Sequence, residues 1–203
     1  IDNRNKMMYG WWNVQSLSGT GANRIHSIET YGLRMIHGWA SYKKLTEEEL
    51  YQQADMIVKG TVLSARDYTN HPSPDLRNMY SEITLRINEA IRGTSVDETI
   101  KFLQNGQSDC PMAVDPLLKP GEECLLYLQY DDSGMLHILG GPQGRYNITQ
   151  DDNRIVNQID KFNYDSMENI PDVIRPSWTK VSKDKAEFIK QVKLKQQVTA
   201  KQK

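Results

Sequence analysis

Apolar positions concentrate between Met56 and Ile148, and their spacing is that of strands. Ser81-Glu82-Ile83-Thr84-Leu85-Arg86-Ile87-Asn88 alternates polar with apolar, which puts Ile83, Leu85 and Ile87 on one buried face. Residues 55–65 are rich in β-branched side chains, with Gly60 in mid-run, a position that marks a bulge or a sharp bend. A third strand is expected over residues 99–104 around Ile100 and Phe102. Residues 124–130 form the most apolar run and predict a central strand. Asp131-Asp132-Ser133-Gly134 reads as a hairpin turn into a returning strand at 135–139, and residues 146–149 can pair with 154–156. Lys119-Pro120-Gly121-Glu122 supplies another turn. A flat sheet of such short strands would leave open edges. Five strands at this spacing, the first bent by glycine, instead predict a small closed or nearly closed antiparallel barrel over residues 54–149.

Helix signals flank the barrel. In Leu45-Thr46-Glu47-Glu48-Glu49-Leu50, Thr46 and Glu49 have the spacing of a capping box, and Leu45 can staple onto Leu50. That helix is expected to end near Ala54. A last helix is expected from a Ser182 cap, docking through Ala186, Ile189 and Val192. Between them, the chain beyond residue 160 reads as loop, with Pro171 and Pro176. Residues 1–45 scatter Trp11, Trp12, Tyr31, Met35, Ile36, Trp39 and Tyr42 among polar residues, with a short strand expected at 33–36. The predicted organisation is one domain: an irregular segment 1–45 packed on the barrel, the barrel core 46–160, and loop plus helix 161–203.

Composition narrows the function classes. The chain of 203 residues is 38% hydrophobic and 25% charged, enough for one core. No run approaches the roughly 18 apolar residues of a membrane span. A net charge of -1 argues against a nucleic-acid binder, since phosphate contacts need a basic excess. Lysines are nonetheless dense from Lys180 to Lys203, and they read as a solvated face or, alternatively, as a surface-binding patch whose deletion would leave the fold largely intact.

Candidate chemistry is sparse. His26, His37, His71 and His137 have no metal-ligand spacing, and no nucleophile elbow or phosphate-binding loop is present. No cofactor or metal is expected. Gly140, Gly141, Gln143 and Gly144 form a glycine-rich corner that can expose N–H groups to a ligand, or else turn the chain from one sheet edge to another. Tyr127 and Tyr130 are the ligand-binding candidates beside it. Together with Tyr80 and Phe102 they would offer a stacking platform for single strands. A dispersed enzyme site would have to draw on acids such as Asp55, Glu82 or Glu89. Cys110 and Cys124 flank a turn-rich segment and can either bridge or sit as two small buried hydrophobes. The chain opens on Ile1, which predicts an N-terminal segment lost to leader cleavage or trimming.

The run Ala54-Asp55-Met56-Ile57-Val58-Lys59-Gly60-Thr61-Val62, the run Pro120-Gly121-Glu122-Glu123-Cys124-Leu125-Leu126-Tyr127-Leu128 and the 140–144 corner resemble a group of little-characterised exported proteins of Gram-positive bacteria. The layout also resembles the oligonucleotide/oligosaccharide-binding (OB) barrel of netrin-like domains and tissue inhibitors of metalloproteinases. The resemblance implies a mainly β fold with added helices: a five- to six-stranded antiparallel OB-like barrel, a short helix before it and a C-terminal helix. It further implies a secreted or cell-surface location and an extracytoplasmic binding module without catalytic activity, its partner a protein or a cell-envelope component. An enzyme with a dispersed site and a single-strand-binding barrel are the alternatives. The inhibitors' N-terminal cysteine, which engages zinc, has no counterpart here, where Ile1 stands first and the first cysteine is Cys110.

Overall fold

The computed structural model describes residues 8–14, 23–29, 37–39, 42–70, 79–149, 153–166 and 178–201. Strands β1 (Met8–Val14), β2 (Asn23–Glu29) and β3 (His37–Trp39) form an antiparallel sheet in the order β1-β2-β3, in a segment whose composition gave no such signal. The strand expected at 33–36 lies outside the described residues.

Helix α1 (Glu47–Gln53) starts on the expected capping box. The Glu49 N–H donates to the Thr46 hydroxyl at 3.2 Å, and the Thr46 N–H donates to the Glu49 carboxylate at 2.8 Å. Ala54 ends the helix, and Arg92 donates to the carbonyls of Tyr51 and Ala54, satisfying two acceptors that the helix end leaves open.

Five strands then close a barrel: β4 (Met56–Tyr68), β5 (Tyr80–Arg92), β6 (Thr99–Asn105), β7 (Glu123–Tyr130) and β8 (Leu136–Ile138). The order around it is β7-β4-β5-β6-β8, with β8 returning to β7, which is the OB-like arrangement. One pairing departs from the all-antiparallel expectation: β6 and β8 run parallel and meet at a single pair, Leu103↔His137. Closure requires it, because β8 is already antiparallel to β7.

Gly60 is where β4 bends. The β4–β5 register shifts between Lys59 and Gly60, and a Cβ at residue 60 would lie 2.5 Å from the Arg86 carbonyl oxygen. Only glycine lets the strands approach this closely.

Two apolar clusters share the β4–β7 wall. Inside the barrel lie Val58, Val62, Ile83, Leu85, Ile87, Phe102, Cys124, Leu126 and Leu128. On the outer face, Ile57, Leu125 and Tyr127 are covered by Leu50 and Tyr51 of α1 and by Phe188, Ile189 and Val192 of the C-terminal helix. Strand β7 is therefore buried on both sides, which explains its unbroken apolar run.

Beyond the barrel, β9 (Arg145–Ile148) and β10 (Arg154–Asn157) pair as expected, with Ile155 opposite Ile148. Strand β9 also pairs with the first half of β7, so the sheet continues outside the barrel as β7-β9-β10-β11, ending on the two-residue β11 (Lys183–Asp184). The chain past residue 160 is more helical than its composition suggests. Helix α2 (Gln158–Asp165) follows β10 directly, and α3 (Trp178–Val181) precedes β11.

The last helix, α4 (Lys185–Lys201), is capped by Asp184 rather than Ser182: Asp184 Oδ1 accepts from the Glu187 N–H at 2.9 Å. Ser182 is buried and accepts from Arg154 Nε at 3.0 Å. Of the expected stripe, Ile189 and Val192 dock, while Ala186 is exposed and Phe188, which was not expected there, is the third docking residue. Ser182, three residues before the helix, suits a cap by residue type; strand β11 intervenes and moves the start.

Candidate functional site

The 140–144 corner is where the sheet forks. Strand β8 pairs with the second half of β7 and β9 pairs with the first half, along the same edge. The chain must step from one to the other, and it does so through a 3-10 turn, Gly141–Gly144, entered with Gly140 and Gly141 at φ 65° and 58°. A Cβ at residue 144 would stand 2.2 Å from the Leu139 carbonyl oxygen, and one at residue 141 would run into the Tyr42 ring.

The polar groups of the corner are already engaged. Gln143 Oε1 accepts from the Leu45 N–H at 2.7 Å, its Nε2 donates to the Lys43 carbonyl at 2.8 Å, and its own carbonyl accepts from Asn157 Nδ2 at 2.7 Å. Gln143 thus clamps the lead-in to α1 against the barrel. Gly141, Pro142, Gln143 and Gly144 are all buried. The geometry is that of a chain-routing corner.

Beneath it lies a polar network that no spacing in the sequence announces. Arg145, 3% exposed, places Nη1 3.1 Å from Asp115 Oδ1 and Nε 3.0 Å from Asn147 Oδ1. Gln104 Nε2 donates to the same Asp115 oxygen at 3.0 Å, and Gln104 Oε1 accepts from the Leu118 N–H. Gln158, held by Asn147, donates to the Val114 carbonyl. Burial pushes the Asp115 carboxyl up, against the pull of Arg145. Burial, reinforced by Asp115, likewise pushes the Tyr42 phenol up. Every donor and acceptor named here ties the 106–118 loop, β6, β9 and α2 together, so the cluster is a structural tie.

The two tyrosine candidates part company. Residues three apart in a strand face opposite ways. Tyr127 is buried in the outer cluster, its ring 5.9 Å from that of Tyr146, while Tyr130 is 52% exposed. Phe102 is inside the barrel, and Tyr80 packs edge-on against His137 at 5.3 Å. The four aromatics therefore form no common platform.

His137 contacts Asp131 Oδ2 through Nε2 at 2.9 Å on the hairpin. His26 lies on β2 and His37 opens β3, and His71 lies outside the described residues. Among the described residues no group of three or more His, Cys, Asp or Glu could hold a metal, and no helix is long and apolar enough to cross a membrane.

Cys110 and Cys124 are not bridged. Cys124 points into the barrel, opposite Gly60, and burial pushes its thiol up to about 12; Cys110 sits on the 106–118 loop. The small-hydrophobe alternative holds for Cys124.

The acids stay apart as well. Asp55 accepts from the Tyr130 N–H, Glu82 pairs with Lys101 at 2.9 Å, and Glu89 pairs with Lys193 of α4. Two lysines of the C-terminal segment likewise pair with α1, Lys183 with Glu47 and Lys195 with Glu48.

A cleft of about 300 Å³ opens at the seam where β6 and β8 share their single pair. Ile100, Phe102 and Leu103 of β6 form one wall; Tyr130, Met135 and Leu136 of the β7–β8 hairpin form the other. Met56 lies at its base, and Tyr68 with the Lys101–Glu82 pair stands at its rim. Of the candidate residues singled out from sequence, Tyr130 and Phe102 of the stacking platform and Glu82 of the acids reach this cleft, whereas Tyr127 and the glycine corner do not line it. No protein-family model and no curated protein sequence matches the chain. The functional reading of the cleft accordingly rests on its position in the barrel and on what lines it. Ile100 and Phe102 were legible as core residues, but an opening between two strands depends on where β8 stops, which no local pattern encodes.

Proposed function

We propose that the chain is an extracytoplasmic binding or interaction module without catalytic activity, taking its ligand in the cleft at the β6–β8 seam. The observation that carries this reading is the coincidence of an open cleft of mixed apolar and polar lining with the face that OB-type barrels use for ligands. That face is formed by the second and third barrel strands and flanked by the loops after the first and fourth strands. Here those strands are β5, which contributes Glu82, and β6; the end of the first strand contributes Tyr68, and the loop after the fourth contributes Gly134 and Met135. A volume of about 300 Å³ is at the small end of ligand sites, where one side chain, one sugar or one base can be seated. The side chains around it favour contact over chemistry: two tyrosines, two methionines, four aliphatic or aromatic core residues and one ion pair. The extracytoplasmic placement is supported by the resemblance of the 54–62 and 120–128 runs to exported proteins.

The test is a binding screen of the whole chain against linear peptides, oligosaccharides and oligothymidylate, repeated with Met135→Glu and Tyr130→Ala. Binding of one probe class that both substitutions weaken supports the cleft. Binding that neither substitution changes contradicts it.

A further inference from the structure

We propose that the ligand of the cleft is an extended polypeptide segment that pairs, as an added strand, with the free edge of β6 over residues 99–102. This rests on the cleft being the binding site. One edge of β6 is paired with β5 along its whole length, from Thr99 opposite Arg86 to Asn105 opposite Tyr80. Its other edge meets β8 only at Leu103.

The cause is the β7–β8 turn. The Asp131 N–H donates to the Met135 carbonyl at 2.9 Å, and Asp131 Oδ1 accepts from the N–H groups of Ser133 and Met135. These bonds commit the chain before Leu136 to the hairpin and draw it away from β6. Among the described residues, 99–102 make no backbone bond on that edge. Successive residues of a strand direct their N–H and C=O to opposite edges, so two of these four present both groups to the cleft.

Such an edge is a template for another strand, and natural edges are blunted by proline, bulges or an inward lysine. Strand β6 has no proline, and its one lysine, Lys101, is paired with Glu82 at the rim of the cleft, so its charge does not stand alone on the edge. Four residues of added strand would run about 13 Å, at about 3.3 Å per residue. One side chain of such a strand would rest on Ile100, Phe102, Met135 and Leu136, while its neighbours pointed to solvent. Backbone groups in strand register select a polypeptide over a sugar or a base, which could use the apolar wall but not the ladder.

A synthetic library of linear octapeptides is screened against the whole chain. The tightest binder is then remade in versions N-methylated at one amide each. The expected result is a period of two: methylation at alternate positions weakens binding roughly tenfold, the intervening positions change it little, and Met135→Glu weakens all versions. Peptide binding that falls with Met135→Glu but shows no such period overturns strand addition and leaves the cleft standing. The same holds if only oligosaccharide or oligothymidylate binds in a Met135-dependent way. Peptide binding that Met135→Glu and Tyr130→Ala leave unchanged overturns both readings.

Discussion

Arg145 Nη1 lies 3.1 Å from Asp115 Oδ1, with the two side chains 4% and 2% exposed. Charges at this depth are tolerated only in company, and here Gln104, Asn147 and the Pro116 carbonyl complete the set. Arg145→Ala is expected to lower the unfolding free energy by about 3–5 kcal/mol, because Asp115 is left buried with only amide partners. Its carboxyl, already pushed up by burial, then rises further. A carboxyl raised in the folded state favours folding below its unfolded value and loses that contribution as pH rises. The deficit of Arg145→Ala should therefore be smaller at acid pH than at neutral pH. Urea unfolding of both proteins across pH checks it, and an equal deficit at every pH would rule out a buried, unpaired Asp115.

Two glycines test the corner against a plain turn. Gly144→Ala drives a Cβ to within 2.2 Å of the Leu139 carbonyl oxygen, at the point where β8 and β9 part. Gly134, at φ 76°, faces open space, so Gly134→Ala carries only the left-handed backbone cost of about 1–2 kcal/mol. Thermal unfolding should rank Gly144→Ala well below Gly134→Ala. Equal melting temperatures would mean that the corner relaxes easily.

The barrel was legible because its signals are local. Alternation through Ile83, Leu85 and Ile87, the bend at Gly60, the turns at Gly121 and Gly134 and the Thr46 capping box each lie within a few residues. What was not legible is non-local. Arg145 and Asp115 are apart in sequence and carry no motif. The parallel β6–β8 contact consists of one pair. Tyr127 and Tyr130 were grouped as a ligand surface, although strand periodicity by itself places them on opposite faces. At the C-terminus, Ser182 and Ala186 fit the cap and stripe by type, whereas the two-residue β11 shifts the start to Asp184 and makes Phe188 the anchor.

Helix α4 is held by its apolar stripe. Phe188 packs on Tyr146 with ring centroids 4.8 Å apart, under the roof of the outer cluster. Phe188→Ala should cost about 3–5 kcal/mol, whereas Lys190→Ala, on the exposed face, should leave chemical unfolding unchanged. Deleting residues 183–203 would remove Phe188, Ile189 and Val192 from the core, so the truncated chain should be markedly destabilised rather than intact. A truncated chain with an unchanged unfolding midpoint would show that the outer cluster does not need its helix.

Cys124 provides a solvent-access test of barrel closure. Its thiol is fully buried among Val58, Leu126 and Leu128, and burial pushes it up to about 12. Thiolate is the reactive form, so Cys124 should resist a thiol reagent at mildly alkaline pH until the chain unfolds, with labelling tracking global unfolding. Fast native-state modification at Cys124, located by peptide mass, would mean that the β4–β7 wall opens.

The most direct test of the binding account is amide chemical-shift mapping of the whole chain with the tightest probe from the screen. The largest shifts are predicted at Ile100, Lys101, Leu103, Tyr130 and Met135, and they should vanish with Met135→Glu. Shifts centred on Gly140, Gly141 and Gln143, or on the outer face of α4, would contradict the assignment of the seam as the site.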